Sequence, residues 1–376
     1  MADVYHRLAR KLDRLPHGYP ATESGVEIRI LRKLFTPDDA RAALDLGLIP
    51  VPVERMARRM GVPVEAARVT LDRMAARGLI GSYASDGIQH YALAPFVIGI
   101  FEFQVAHIDA EFARLYEEYA PHLLKTLGGH APALGRVVPV QRALAPGLEV
   151  LPYDDLRALI SAGQSFALRE CVCRKERALQ GHPCTHSLET CLGVSPEPHA
   201  YDYFNYAGRV ISQDEAFSVL ETTEDEVLVH VTYNVRRSSM FVCNCCSCCC
   251  GFMRAVNDFQ APHALAASSV VAAIDAGVCA SCGHCESPRC PTDAIRPSAD
   301  RLHLEVVAER CIGCGVCVSG CPYGAARLVS RPAHERPVPA DSIATWTVER
   351  LAQRHPLGRL ALRAWPMRRS AAADAP

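Results

Sequence analysis

The 376-residue chain is 49% apolar and 22% charged with a net charge of −1, a globular profile with enough length for two or three cores. Near neutrality removes any global attraction to nucleic acid or anionic lipid. Residues 1–95, with 14 Lys/Arg against 11 Asp/Glu, are too weakly basic to name a partner. The opening MADVYHRLARKLDRL lacks the apolar core of a signal peptide. The most apolar stretches, FVIGIFEFQVA and ALAASSVVAAI, are too short or interrupted to span a bilayer. The expectation is therefore a cytoplasmic protein with no membrane insertion and with reduced thiols.

Taken in chain order, residues 28–95 read as helices and a wing. ILRKLFTPDDARAALDLGLI carries apolar residues at helical spacing after the cap-like Thr36-Pro37. A short helix at 53–61 stops at Gly61. A second, over 62–80, is expected to turn Val69, Leu71 and Met74 inward and to end at Gly78. IGSYASDGIQHYAL then reads as strand, Asp-Gly turn and strand. Together these make a winged helix-turn-helix. Residues 96–128 look like one long amphipathic helix, and Pro/Gly-rich 131–152 like an extended linker. GRVISQDEAFSVLETTEDEVLVHVTYNV reads as helix then strand. Residues after 331 are Pro-rich, with one helix at ADSIATWTVERLAQR and a loose polar end.

The fold class that emerges is a multi-domain α+β chain. Its expected units are a winged-helix-like module with its long helix (1–130), a linker (131–152), a Cys-rich α/β domain (153–268), a ferredoxin-like domain (269–331) and a tail with one helix (332–376).

Cysteine is the compositional outlier, 18 in all, running from Cys171 to Cys321. In a reducing compartment such clusters bind metal more often than they pair. The clearest pattern is near the C-terminus. Residues 279–291 read CASCGHCESPRCP and residues 311–322 read CIGCGVCVSGCP. The second is C-x2-C-x2-C-x3-C-P, and the first differs by one extra residue before its last cysteine. Three thiols two residues apart wrap one tight loop and reach three corners of an iron–sulfur cube. The fourth lies beyond that loop and points toward a neighbouring cube. Paired zinc knuckles are the bland alternative, but zinc needs no such cross-linked Cys-Pro.

Over residues 270–330 this resembles the two-[4Fe-4S] bacterial-type ferredoxins. The resemblance implies that Cys279, Cys282, Cys285 and Cys321 hold one cluster, and that Cys311, Cys314, Cys317 and Cys290 hold the other. AIRPSADRLHLEV is the short hairpin such a domain expects, and the extra residue within ESPR (286–289) lengthens the arm that delivers Cys290. Gly283, Gly313, Gly315 and Gly320 suit close backbone approach to sulfur.

Ten further cysteines are less regular. Cys171, Cys173, Cys184 and Cys191 are candidates for a third metal site, an iron–sulfur cluster or zinc, with His182 and His186 as alternative zinc ligands. Arg169, Arg174, Lys175 and Arg177 crowd the first pair and favour thiolate. VCNCCSCCC sets Cys243, Cys245, Cys246, Cys248, Cys249 and Cys250 into eight positions. As a helix this run gives two three-thiol stripes; extended, it alternates faces. Both leave the individual ligands open, and plain core packing is the alternative.

LRKLFTPDDA, PFVIGIFEFQ, CVCR with its later cysteines, GRVISQDEAF, the VCNCCSCCCG run and the closing repeats together resemble multi-domain iron–sulfur proteins of anaerobic metabolism. That likeness implies electron transfer. The expected role is a carrier, or the electron-transfer subunit of an oxidoreductase, docking a redox partner or a second copy through the N-terminal module. A redox-sensing regulator binding DNA through Arg68, Thr70 and Arg73 is the alternative, disfavoured by Glu65 and Asp72 on the same helix. A stand-alone enzyme would use groups such as His182, His186, His199 or Tyr201 near 171–250. No nucleotide motif supports that reading.

Overall fold

The computed structural model describes residues 3–85, 88–203, 208–237 and 241–355. The Asp86-Gly87 turn lies outside them. The chain opens with α1 (Val4–Asp13), α2 (Val26–Leu34) and α3 (Pro37–Asp45). α2 ends before Phe35, and α3 begins at the cap expected at Thr36-Pro37. Thr36 caps α3 through a reciprocal box: its hydroxyl accepts from the Asp39 amide at 3.2 Å, and its own amide donates to the Asp39 carboxylate at 3.1 Å. β1 (Val51–Pro52), α4 (Val53–Met60), α5 (Val64–Ala76), β2 (Gly81–Ser85) and β3 (Ile88–Ala92) follow. The three strands form an antiparallel sheet in the order β1-β3-β2.

On α5, Ala67, Leu71 and Met74 are buried, whereas Val69 is 61% exposed. The inward place expected for Val69 fails because positions 69 and 71 lie some 200° apart around a helix, so only one can join the 67-71-74 stripe.

The long helix expected over 96–128 is broken. Residues 96–106 coil through short turns, including α6 (Phe101–Phe103), with extended dihedrals at Val97 and Ile98 and φ +158° at Gly99. A fresh helix, α7 (Ala110–Gly128), starts where the Asp109 carboxylate accepts from the Phe112 amide at 2.8 Å. Residues 131–152, expected as linker, supply β4 (Gly135–Val138), which is buried throughout.

The remaining elements are α8 (Leu156–Ser161), β5 (Ser165–Glu170), α9 (Val172–Leu179), β6 (Glu189–Ser195), α10 (Ala200–Tyr203), β7 (Arg209–Ile211), α11 (Gln213–Asp225), β8 (Val229–Tyr233), β9 (Phe241–Cys245), α12 (Gly251–Asn257) and β10 (Leu265–Ala266). Seven strands make one sheet, ordered β10-β4-β8-β9-β6-β5-β7 and antiparallel except for the parallel β10–β4 pair. Leu156 and Ile160 of α8 and Ala216 and Leu220 of α11 cover one face, against Phe166, Leu168, Leu192 and Val242. On the other face Val137, Val229 and Val231 meet Met253 of α12 and the C-terminal cysteine domain.

That domain comprises β11 (Val270–Ile274), β12 (Ile295–Pro297), β13 (Leu304–Val306), α13 (Val316–Ser319) and β14 (Ala326–Ser330). β11 pairs with β14, and β12–β13 is the expected hairpin. Finally α14 (Ile343–Arg354) returns to the N-terminal helices. Its Trp346 is buried, with the indole N–H donating to Ala133 O at 2.9 Å. Its buried Arg350 donates to the carbonyls of Leu127, His130 and Pro132.

Candidate metal centres

Register in the C-terminal domain positions the first thiols. Pairing Val270 with Ser330 through to Ile274 with Ala326 closes the domain around the segments that hold its eight cysteines. Cys290, Cys311, Cys314 and Cys317 line one small cavity of about 20 Å³. Backbone amides aim at sulfur: Ala294 N–H at Cys290 (3.2 Å), Leu304 N–H at Cys279 (3.4 Å) and Ala272 N–H at Cys311 (3.5 Å). Such donors stabilise thiolate and raise cluster potentials. At Gly313 (φ +69°) an added Cβ would lie 2.2 Å from Val270 O, and at Gly315 (φ +80°) 2.7 Å from Ala143 Cβ. Both close approaches admit only glycine.

Burial pushes the Cys285 thiol up to about 11 and Cys314 up to about 12. Cys317 rises further for the same reason. Buried thiolates at neutral pH therefore require a cationic partner. A quartet of sulfurs around an apolar hollow fits an iron–sulfur core. Cys279, Cys282 and Cys321 lie around Cys285, near enough that their charges also act on its thiol.

The structure divides the other ten cysteines into two groups. Cys184, Cys246, Cys248 and Cys249 have sulfurs all within 4.8 Å of one another. Cys184 comes from the loop between α9 and β6, and the other three from the turn joining β9 to α12. VCNCCSCCC is thus neither all helix nor all strand: β9 ends at Cys245 and helix resumes at Gly251. His182 is exposed, and neither it nor His186 is in the sulfur set.

The second group is Cys171, Cys173, Cys191, Cys243, Cys245 and Cys250, which line a cavity of about 70 Å³. Phe101, Tyr116, Leu124 and Leu127 form its opposite wall, and Cys246 also reaches it. Cys184 is therefore parted from Cys171, Cys173 and Cys191, although the sequence presents the four together.

Two of the four basic residues near Cys171 turn inward. Buried Arg169 donates from Nε to Cys191 Sγ at 3.4 Å. Buried Arg174 donates to Ser187 O, Thr190 Oγ1 and Asn244 O at 2.7, 2.6 and 2.8 Å, beside Cys171, Cys245 and Cys246. Cys246 is held well below the usual thiol range by the hydrogen bond to Cys249 and then by Arg174. Lys175 and Arg177 instead pair with Glu170 and Glu117.

One group on the cavity wall escapes sequence reasoning. The Glu102 carboxyl is pushed up to about 7 by burial, with its Oε2 accepting from Gly99 N–H at 2.6 Å. Its signal was a single acid inside the apolar run FVIGIFEFQVA. His199 is exposed and pairs with Asp202, whereas Tyr201 packs beside Gly193 near Cys191 and Arg169.

The C-terminal cysteine domain has a known class. Residues 278–326 are a 4Fe-4S dicluster domain. Among curated proteins, the electron transport protein HydN of Escherichia coli K12 is 40% identical over 67 residues, which are 17% of this chain and 37% of HydN. A tetrathionate reductase subunit of Archaeoglobus fulgidus is 44% identical over 48 residues, 12% of this chain and 23% of that protein. A probable iron-sulfur subunit from the Frd operon of Proteus vulgaris is 33% identical over 72 residues, 18% of this chain and 45% of that protein. The chain thus spans less than half the length of each of these relatives. No solved structure matches it.

Proposed function

We propose that the chain is an iron–sulfur electron-transfer protein, a carrier or the electron-transfer subunit of a cytosolic oxidoreductase. The observation that carries this reading is a shared core. Cys285, Cys290, Cys314 and Cys317 of the dicluster domain pack in the same apolar cluster as Cys245 and Cys250 of the central cavity. When bound, the clusters supply single-electron exchange. The protein's part is to bury the thiols, aim amide donors at them and hold the centres along one continuous core.

In this reading Cys279, Cys282, Cys285 and Cys321 hold one cube, and Cys311, Cys314, Cys317 and Cys290 the other. Four of the six thiols around the 70 Å³ cavity hold a third. Six thiols converge on that hollow, two more than one cube needs.

The N-terminal helices and three-stranded sheet act as a winged-helix docking module for the redox partner or a second copy. Val62, Val64 and Val69 lie exposed around α5 (36, 40 and 61%). The cations a DNA reader would need are occupied within the chain: Arg73 pairs with Asp39 at 2.7 Å and Arg68 with Glu65 at 3.8 Å. That weighs against the regulator reading.

The test is anaerobic purification followed by iron and sulfide analysis and spin-resonance spectra after dithionite reduction. About eight irons per chain mean the dicluster pair alone, and about twelve mean a third cube. A colourless protein with no reducible centre removes the proposal. Binding to random duplex DNA at low salt would revive the regulator.

A further inference from the structure

We propose that Cys184, Cys246, Cys248 and Cys249 form a tetrathiolate site for a single zinc ion, distinct from every iron–sulfur centre of the chain. The argument is one of scale and does not rest on the electron-transfer reading. The Cys184–Cys246, Cys184–Cys248 and Cys248–Cys249 sulfurs are 3.8, 3.7 and 3.6 Å apart. A tetrahedral zinc ion with Zn–S bonds of about 2.3 Å sets its sulfurs ~3.8 Å apart. A four-iron cube places iron and sulfide between its thiolates and spreads them to ~6 Å. The four thiols here enclose room for one ion. They are also too far apart for a disulfide, whose sulfurs lie about 2.05 Å apart.

All four ligand positions are filled by protein, the arrangement of a structural site. The ion would join points 62 residues apart in the chain. It would fix the loop 180–188, which is largely without regular structure, to the turn at 246–250. That turn is also what aims Cys245 and Cys250 at the central cavity: they flank the three zinc ligands in sequence and line the hollow. The zinc site therefore lies beside the six-cysteine pocket without supplying its ligands. Tetrahedral S4 sites also take a lone iron, so the metal must be identified directly.

The experiment uses full-length protein, purified anaerobically from cells supplied with both metals. Elemental analysis is expected to give about one zinc per chain. Zinc-edge X-ray absorption should show four sulfurs at about 2.3 Å. In Cys248→Ser and Cys184→Ser, zinc should fall at least tenfold while iron and sulfide per chain stay at the wild-type value. Four outcomes overturn the assignment: loss of about four irons in these variants, which marks a cube; loss of one iron; a mixed nitrogen–sulfur shell, which would bring in His182 or His186; or unchanged metal content. Cys248 is exposed, so serine there should not disturb packing. Should either variant prove insoluble, the zinc-edge spectrum of the wild type decides.

Discussion

Cys290 tests the dicluster geometry at the scale of one side chain. The extra residue in its arm does not keep it from the cavity lined by Cys311, Cys314 and Cys317. Cys290→Ser should lower iron by about four per chain and leave the other cube's spectrum intact, read by metal analysis and spin resonance. These eight cysteines stood out in the sequence because each loop sets its thiols at fixed local spacing. The other ten were not. Their grouping depends on which way a strand and a turn send adjacent residues, and on a partner 62 residues away. Spacing within 171–191 suggests one site. In the structure Cys184 joins the thiols of the β9–α12 turn instead, while Cys171, Cys173 and Cys191 line the central cavity. Glu102 stayed silent for a related reason: burial moves its proton affinity, and composition shows a carboxylate without showing its surroundings.

At the scale of elements, α5 and α14 make separable predictions. Val69→Asp adds a charge on an exposed position, so it should shift stability by less than about 0.5 kcal/mol while weakening capture of the redox partner. Equal partner binding by wild type and variant would move the docking surface elsewhere. Arg350→Ala removes a buried guanidinium that serves carbonyls of Leu127, His130 and Pro132. The loss should be about 2–4 kcal/mol, seen as a lower melting temperature.

His17, packed 5.1 Å from the Trp346 ring, adds a pH dependence. Burial, then the Arg350 and Arg354 cations, push its imidazole down to about 3. Below its ordinary value near 6.5 the unfolded chain takes up a proton that the native state refuses, so stability falls as pH drops from about 6.5 toward 3. At pH 5 this group should cost about 2 kcal/mol relative to pH 8. His17→Leu should flatten that slope in thermal melts at the two pH values. The helices and strands over 28–95 were visible as helix stops and alternation. The loss of regular helix over 96–109 was not, because the turn at Gly99 and the Asp109 cap outweigh a run of apolar residues that would tolerate either conformation.

For the whole molecule, the joint between sheet and dicluster domain runs through Asp154. Its carboxylate pairs with buried Arg136 of β4 and also accepts from the Ser269 amide at 2.9 Å, just before β11. Asp154→Ala would strand the guanidinium in the core and free the start of the cluster domain. A loss of about 3–5 kcal/mol is expected, together with looser coupling between the central and C-terminal centres in the reduced-state spectra. Unchanged melting would show the two units to be independent. β4 was misread as linker because its partner β8 lies nearly a hundred residues further on. Nothing local marks a buried strand of four residues as anything but a connector.

The return of α14 to the first helices also orders events during biosynthesis. A ribosome releases Val4–Asp13 early but cannot deliver Ile343–Arg354 until all 18 cysteines have emerged. The N-terminal module therefore waits, with the seat of Trp346 open, while the thiols are exposed to whatever delivers their metal. Docking of the last helix then completes the N-terminal core around Trp346.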